Sequence, residues 1–167
     1  ALCAFLACML CWLPYYLYQY PGIMTPDSIN QLEQILGIIP PSNHHPWVHT
    51  LVFGLFYHIG YGLTKNMVIA VSVYTLFQMC LSAGSVSYFI STLRSHRIRP
   101  FVLVLITAFY ALIPYNAVFS VTVWKDIPFA AATLFFGCCL LRLSVQEKVC
   151  FKNLFVLFLS GAAICLF

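Results

Sequence analysis

The chain has 167 residues, of which 62% are hydrophobic and only 7% are charged, and its mean hydropathy is +0.93. A soluble domain carries about 25% charged residues, so eight basic and four acidic side chains are too few to keep this chain in water. This composition excludes a soluble enzyme, a disordered tail and a nucleic-acid binder that relies on a basic patch. We therefore expect a multi-pass protein of the cell membrane, with the lipid bilayer as a partner and no nucleic acid.

The apolar runs predict an all-α, polytopic transmembrane helical bundle. A membrane span needs about 20 mostly apolar residues. Five segments reach or approach that length, at about 1–18, 67–93, 100–116, 127–143 and 153–167. Pro114 predicts an exit or a break in the third run. Because the first and last runs look truncated, we expect residues 1–167 to form a single transmembrane module of a longer chain.

The segment 46–63 is ambiguous, since it is long enough to cross a membrane but contains two histidines and three glycines. The positions of the basic residues favour one arrangement. If 46–63 lies on the outer surface, six of the eight basic residues share one side: Arg94, Arg97, Arg99, Arg142, Lys148 and Lys152. If it crosses, the later loops change sides, and the side that holds the start of the chain keeps only Lys65 and Lys125. The positive-inside rule therefore favours a surface location for 46–63, with the six basic residues in the cytoplasm.

In the favoured arrangement, two helices lie on the outer surface at about 26–38 and 46–63. Thr25 is the expected N-cap of the first of these helices, and Pro26 its first residue. Asp27, Gln31 and Gln34 share one face, while apolar residues at 29, 32, 35, 36 and 39 define another. Asp27 either stabilises the helix through its dipole or has a chemical role.

Further polar residues on the outer side form two groups. His45 and His49 are four residues apart, as helical zinc ligands are; alternatively they and His44 are interfacial histidines that bind phosphates or loop carbonyls. Lys125 and Asp126 lie against an apolar span, which marks them as functional candidates. The alternative is an interfacial ion pair beside Trp124 as an aromatic anchor.

Three stretches carry a family resemblance: Pro-Gly-x-x-x-x-Asp-Ser-x-x-Gln (21–31), Asn-His-His-Pro-x-x-His-Thr (43–50) and Trp-Lys-Asp-x-Pro-Phe (124–129). With the surface helices, they resemble the GT-C superfamily of membrane glycosyltransferases, and most of all a bacterial branch whose members are mainly uncharacterised. The resemblance implies a GT-C-like fold. It implies that Asp27 is the catalytic base or positions the acceptor, and that Asp126 contacts metal or acceptor. His45-Pro46 is similar to the His-Pro that opens the second surface helix in protein mannosyltransferases.

The function implied by this resemblance is transfer of a sugar from a polyprenyl-phosphate donor to a cell-surface glycan or protein, at the extracytoplasmic face. Asp27 and Asp126 would be catalytic, and Asp126 could hold a divalent metal such as Mg or Mn. The expected substrate-binding residues, some of which would bind the donor phosphate, are Lys125, His44, His45, His49, Gln31 and Trp124. A transporter or flippase, or a non-catalytic lipid-binding membrane protein, remains the alternative.

Overall fold

The structure is a computed structural model that describes residues 1–42, 46–145 and 151–166. Apart from loops and one short pair of strands, the chain is helical within these ranges, so the expected all-α class is confirmed. In chain order the elements are α1 Leu2–Tyr18, β1 Ile23–Met24, α2 Pro26–Ile35, α3 Trp47–Thr64, α4 Met67–Ser95, α5 Pro100–Leu112, α6 Pro114–Val121, β2 Thr122–Val123, α7 Asp126–Val145 and α8 Phe151–Leu166.

The first helix runs antiparallel to α4, the longest helix. At one end the hydroxyl of Ser87 donates a 2.8 Å hydrogen bond to the carbonyl of Ala1. Near the other, the hydroxyl of Tyr20 donates to Ser72 at 3.4 Å. The end of α1 therefore lies beside the beginning of α4.

Helix α7 runs parallel to α4, since Arg142 near its end donates a hydrogen bond to Thr92 near the end of α4. The end of the bundle that holds Arg142 and the segment 94–99 is called the basic end. Three connecting segments lie at the opposite end, which is called the loop end: residues 19–25, 65–66 and 122–125.

Helix α3 packs against the first half of α4. Gly60 packs so closely on α4 that a Cβ there would lie 2.8 Å from the Cα of Ala70, while His49 hydrogen-bonds Tyr74. From His49 to Gly60 α3 rises about 16 Å, but from Ala70 to Tyr74 α4 rises only about 6 Å. The described contacts of α3 with α4 therefore lie on the first half of α4, near the loop end, and the surface location of 46–63 stays a prediction.

The core lies between the helices, and much of the outside is apolar. One face of α1 is buried against α4 and α5, at Ala4, Cys8, Trp12 and Tyr16. The opposite face exposes a stripe of leucines at positions 2, 6, 10, 13 and 17. A helix in water would carry polar residues on that face.

Two helices in the described ranges are long and apolar enough to cross a membrane, Met67–Ser95 and Asp126–Ser144. A third span is possible if α5 and α6, bent by 55° at their junction, count as one. The predicted break at Pro114 is present: α5 stops at Leu112, and Pro114 begins α6 as its first residue, while the extent of the predicted span 100–116 stays a prediction. The terminal helices, Leu2–Tyr18 and Asn153–Leu166, are shorter than a usual span.

Candidate active site

A short pair of strands brings the two acidic segments together at the loop end. Strands β1 and β2 are parallel, with Met24 opposite Val123. Asp27 follows Met24 by three residues, and Asp126 follows Val123 by three. Neighbouring strands lie about 4.8 Å apart, so the two segments leave the strand pair side by side and in the same direction. Both carboxylates are half-buried.

Each carboxylate lies in the first turn of a helix. Thr25 caps α2 as expected: its hydroxyl accepts a hydrogen bond from the Ser28 N–H, and the Ser28 hydroxyl oxygen accepts one from the Thr25 N–H. Asp27 follows directly, and Asp126 is the first residue of α7. Backbone N–H groups at helix starts favour anions, so the pair of helix starts could receive a phosphate as well as holding carboxylates.

The strand pair is fixed to α4 by a buried glutamine. The amide nitrogen of Gln78 donates to the carbonyls of Ser120 (2.9 Å) and Thr122 (2.7 Å). The amide oxygen is the one enclosed side-chain polar atom without a partner in the described part of the chain. Gly22 packs equally closely, since a Cβ there would clash with the hydroxyl of Thr75. The position of both acidic segments therefore depends on α4.

A second connection joins α2, α3 and α4 through three buried polar side chains. The Gln31 amide oxygen lies 2.8 Å from Nδ1 of His49, and Nε2 of His49 lies 2.7 Å from the Tyr74 hydroxyl. An amide oxygen only accepts, so Nδ1 carries the proton and Tyr74 donates to Nε2. All three residues are at most 2% exposed. We call this chain of hydrogen bonds the buried triad.

The buried triad contains two of the predicted substrate contacts, whose role stays a prediction. Gln31 and His49 were expected to bind substrate, but both are enclosed and bonded to each other, because α2 turns a polar face inward. Ser28 and Gln31 are its buried residues, whereas Ile29 is 46% exposed. The hydrogen bond between Gln31 and His49 joins α2 to α3, so these two residues contribute to the position of α2.

The other predicted substrate-binding residues lie in different surroundings. Lys125 is half-buried at the loop end, and it forms no ion pair with any residue that the structure describes. Trp124 is 36% exposed, with its ring centroid 6.4 Å from that of Phe119 in an edge-on contact. His44 and His45 lie outside the described residues.

A long apolar groove begins beside this site. Its volume is about 1000 Å³, and helices α4, α6 and α7 form most of its walls, with one residue each from α1 and α5. At the loop end it is lined by Tyr115, Phe119 and Ile127, and towards the basic end by Leu141 and Ser144. From Ile127 to Ser144 α7 rises about 26 Å, which is most of the roughly 30 Å hydrocarbon thickness of a bilayer.

Residues 41–166 match one family, described as "Family of unknown function (DUF6020)". The chain belongs to this family. No curated protein and no solved structure matches the chain significantly. Within this DUF6020 member, His49, Trp124, Lys125 and Asp126 fall in the matched range, and Asp27 precedes it.

A metal site is not assembled by the described residues of this DUF6020 protein. Among them, no three histidine, cysteine, aspartate or glutamate side chains come together. Asp126 alone is too few ligands to hold Mg²⁺ or Mn²⁺ at a dedicated site. The metal at Asp126 stays a prediction, and no step of the chemistry below depends on it.

The sequence reasoning missed two residues that organise this site, Tyr74 and Gln78. Both lie inside the apolar run 67–93, which predicts only a span. A signal was present: they are four residues apart, which places them on one helical face, and Gln78 is the only side-chain amide in that run. Polar groups in a membrane span are costly unless they have partners, so such a pair indicates contacts with neighbouring segments.

Proposed function

We propose that this protein is a membrane glycosyltransferase that moves a sugar from a polyprenyl-phosphate donor to an acceptor hydroxyl at the extracytoplasmic face. The observation that carries the proposal is the parallel strand pair, from which the Asp27 and Asp126 segments leave side by side at one end of the bundle. Two carboxylate segments and a lysine at the loop end, with an apolar groove that Ile127 lines next to Asp126, suit a substrate that is polar at one end and lipidic at the other.

The proposed orientation follows from the outer surface and the charges. Exposed leucines along α1 fit a surface in contact with lipid. The arginines of the 94–99 segment and Arg142 lie at the basic end, whereas Lys65 and Lys125 lie at the loop end. The positive-inside rule assigns the basic end to the cytoplasm, and the candidate site then faces the opposite side.

In the proposed reaction the prenyl chain lies in the groove, and the donor phosphate lies near Lys125 and the start of α7, where cationic and N–H groups bind anions. Asp27 accepts the proton of the acceptor hydroxyl, whose oxygen forms a bond to the anomeric carbon as the bond from that carbon to the phosphate oxygen breaks. The lipid phosphate departs with the bonding pair. Asp126 positions the acceptor.

The test is sugar transfer by the protein in nanodiscs, with a panel of polyprenyl-phosphate sugars and chromatographic detection of the product. Asp27→Asn should lower the transfer rate by about 10²-fold or more, as expected for loss of a general base. Glu33→Gln is the matched control, because it removes a carboxylate from the same helix outside the site. It should change the rate less than about twofold, since surface substitutions away from a site have small effects.

Full activity of Asp27→Asn would exclude the proposed base. If no sugar in the panel is transferred but labelled lipid crosses sealed liposomes, the protein is a transporter or flippase and the glycosyltransferase proposal fails.

A further inference from the structure

At the basic end, the contacts that hold Arg142 among the described residues come from neutral groups. Its Nε donates to the hydroxyl of Thr92 at 2.9 Å, and Nη2 donates to the hydroxyl of Ser91 at 3.1 Å. Its guanidinium carbon lies 4.3 Å from the ring centroid of Tyr88. These contacts from α4 fix the direction of the guanidinium plane but leave its positive charge uncompensated within the described residues.

The half-buried guanidinium keeps N–H donors that no described residue uses. Of its five N–H groups, the two hydrogen bonds use one on Nε and one on Nη2, so the edge formed by Nη1 and Nη2 keeps three. Nη1, which has no hydrogen-bond partner among the described residues, is not fully enclosed, since the Gln78 oxygen is the one enclosed side-chain polar atom without a partner in the described ranges. A free guanidinium edge of this kind can bind two oxygens of one phosphate group.

The surroundings of Arg142 are both cationic and apolar. Arg94, in the last turn of α4, and Arg97 and Arg99, just after it, are exposed at the same end. Leu140 and Leu141, just before Arg142, are 47% and 46% exposed. Thr92 lies one helical turn before α4 ends at Ser95, which corresponds to headgroup depth if α4 spans a bilayer. An anion with an acyl chain fits both features, whereas a soluble anion uses only the first.

We propose that Arg142, oriented by Ser91, Thr92 and Tyr88, binds the phosphate of an anionic phospholipid in the cytoplasmic leaflet. The site is at the opposite end from the carboxylates and does not depend on sugar transfer. It rests only on the membrane orientation, in which anionic lipids surround the basic end.

The experiment measures binding of phosphatidylglycerol and phosphatidylcholine to the detergent-solubilised protein by native mass spectrometry. The wild type should prefer phosphatidylglycerol. Arg142→Gln should weaken phosphatidylglycerol binding about tenfold or more, as expected for loss of charge-assisted hydrogen bonds, and leave phosphatidylcholine binding unchanged. Arg94→Gln removes the same charge from an exposed position at the same end, so it should cost less than about twofold because exposed charges interact weakly.

Arg142→Lys keeps the charge but cannot donate in two directions from one plane, so it should lose much of the preference while retaining the fold. This variant tests the site even if Arg142→Gln fails to fold. Equal losses for Arg142→Gln and Arg94→Gln, or full preference in Arg142→Lys, would show a diffuse charge effect and overturn the assignment. Inorganic phosphate at millimolar concentration should not compete; effective competition would identify a site for a soluble anion instead.

Discussion

Removing the hydroxyl group of Tyr74 tests whether the buried triad holds the surface helices on the bundle. In Tyr74→Phe the ring remains, with its centroid near those of Phe53 and His49, so packing is conserved. The Nε2 atom of His49 loses its donor in a fully enclosed position. Because Gln31 keeps the proton on Nδ1, the imidazole cannot relieve that loss without also disturbing its other hydrogen bond.

The expected cost lies between two reference values. A buried polar atom left without its partner costs about 1–3 kcal/mol. Hydrogen bonds between helices of membrane proteins contribute about 0.6 kcal/mol on average and up to about 1.7 kcal/mol. His49 is 0% exposed and uses both ring nitrogens, so the free energy of unfolding should fall by about 1.5 kcal/mol, near the top of the second range.

The assay is reversible unfolding in mixed detergent micelles, with Tyr57→Phe as the control. Tyr57 is also buried, at 2% exposure, and its hydroxyl forms no hydrogen bond with the described residues. Burial raises the pKa of Tyr57, so its hydroxyl stays protonated near neutral pH. This control should cost less than about 0.5 kcal/mol. Equal losses for the two variants, or a loss below 0.5 kcal/mol (on the order of assay error) for Tyr74→Phe, would refute the triad as a source of stability.

Three further predictions concern the loop end and the orientation. Gly22→Ala should lower the free energy of unfolding by about 2 kcal/mol or more, since its φ is +141° and the new methyl would clash with Thr75; Gly62→Ala, with open space around it, should be neutral or stabilising in the same assay. Asn66→Ala should cost about 1 kcal/mol in that assay, because the Asn66 side chain caps two N–H groups of α4; no loss would show that the cap contributes nothing. An epitope inserted at 96–98 should bind antibody only from the cytoplasmic side of sealed vesicles. Binding from the other side would show that the proposed orientation is wrong.

Local signals predict the starts of helices well. Thr25 and Pro26 place the start of α2 correctly, because capping depends on side chains within one turn of the helix start. The predicted end of α2, at 38, is too late. The helix stops at Ile35, and Gly37 follows with a φ of +71°, a common termination.

Contacts between distant residues are not predictable from local pattern. The strands are two residues each and about a hundred residues apart, and neither is long enough to show the alternation of apolar and polar residues that predicts a strand. The apolar stripe of α2 suggests which face would be buried. Gln31 nevertheless points inward, because it hydrogen-bonds to His49, which in turn hydrogen-bonds to Tyr74. Pro114 correctly predicts a break, but a proline can also begin a new helix, as it does at the start of α6.

The polar side chains of α4 have a structural role, since several of them bind neighbouring segments of the chain. An unpartnered polar group inside a membrane is expensive, and several polar side chains of α4 form specific contacts with other segments. Tyr74 holds α2 and α3 through His49, Gln78 holds the strand pair, and Ser91 and Thr92 hold Arg142. If α4 spans a bilayer, one rigid helix therefore fixes both the carboxylates at the loop end and the guanidinium at the basic end. A substitution at Gln78 should then disturb the carboxylate site and leave lipid binding at Arg142 intact, because the two sites share a helix but no contacts.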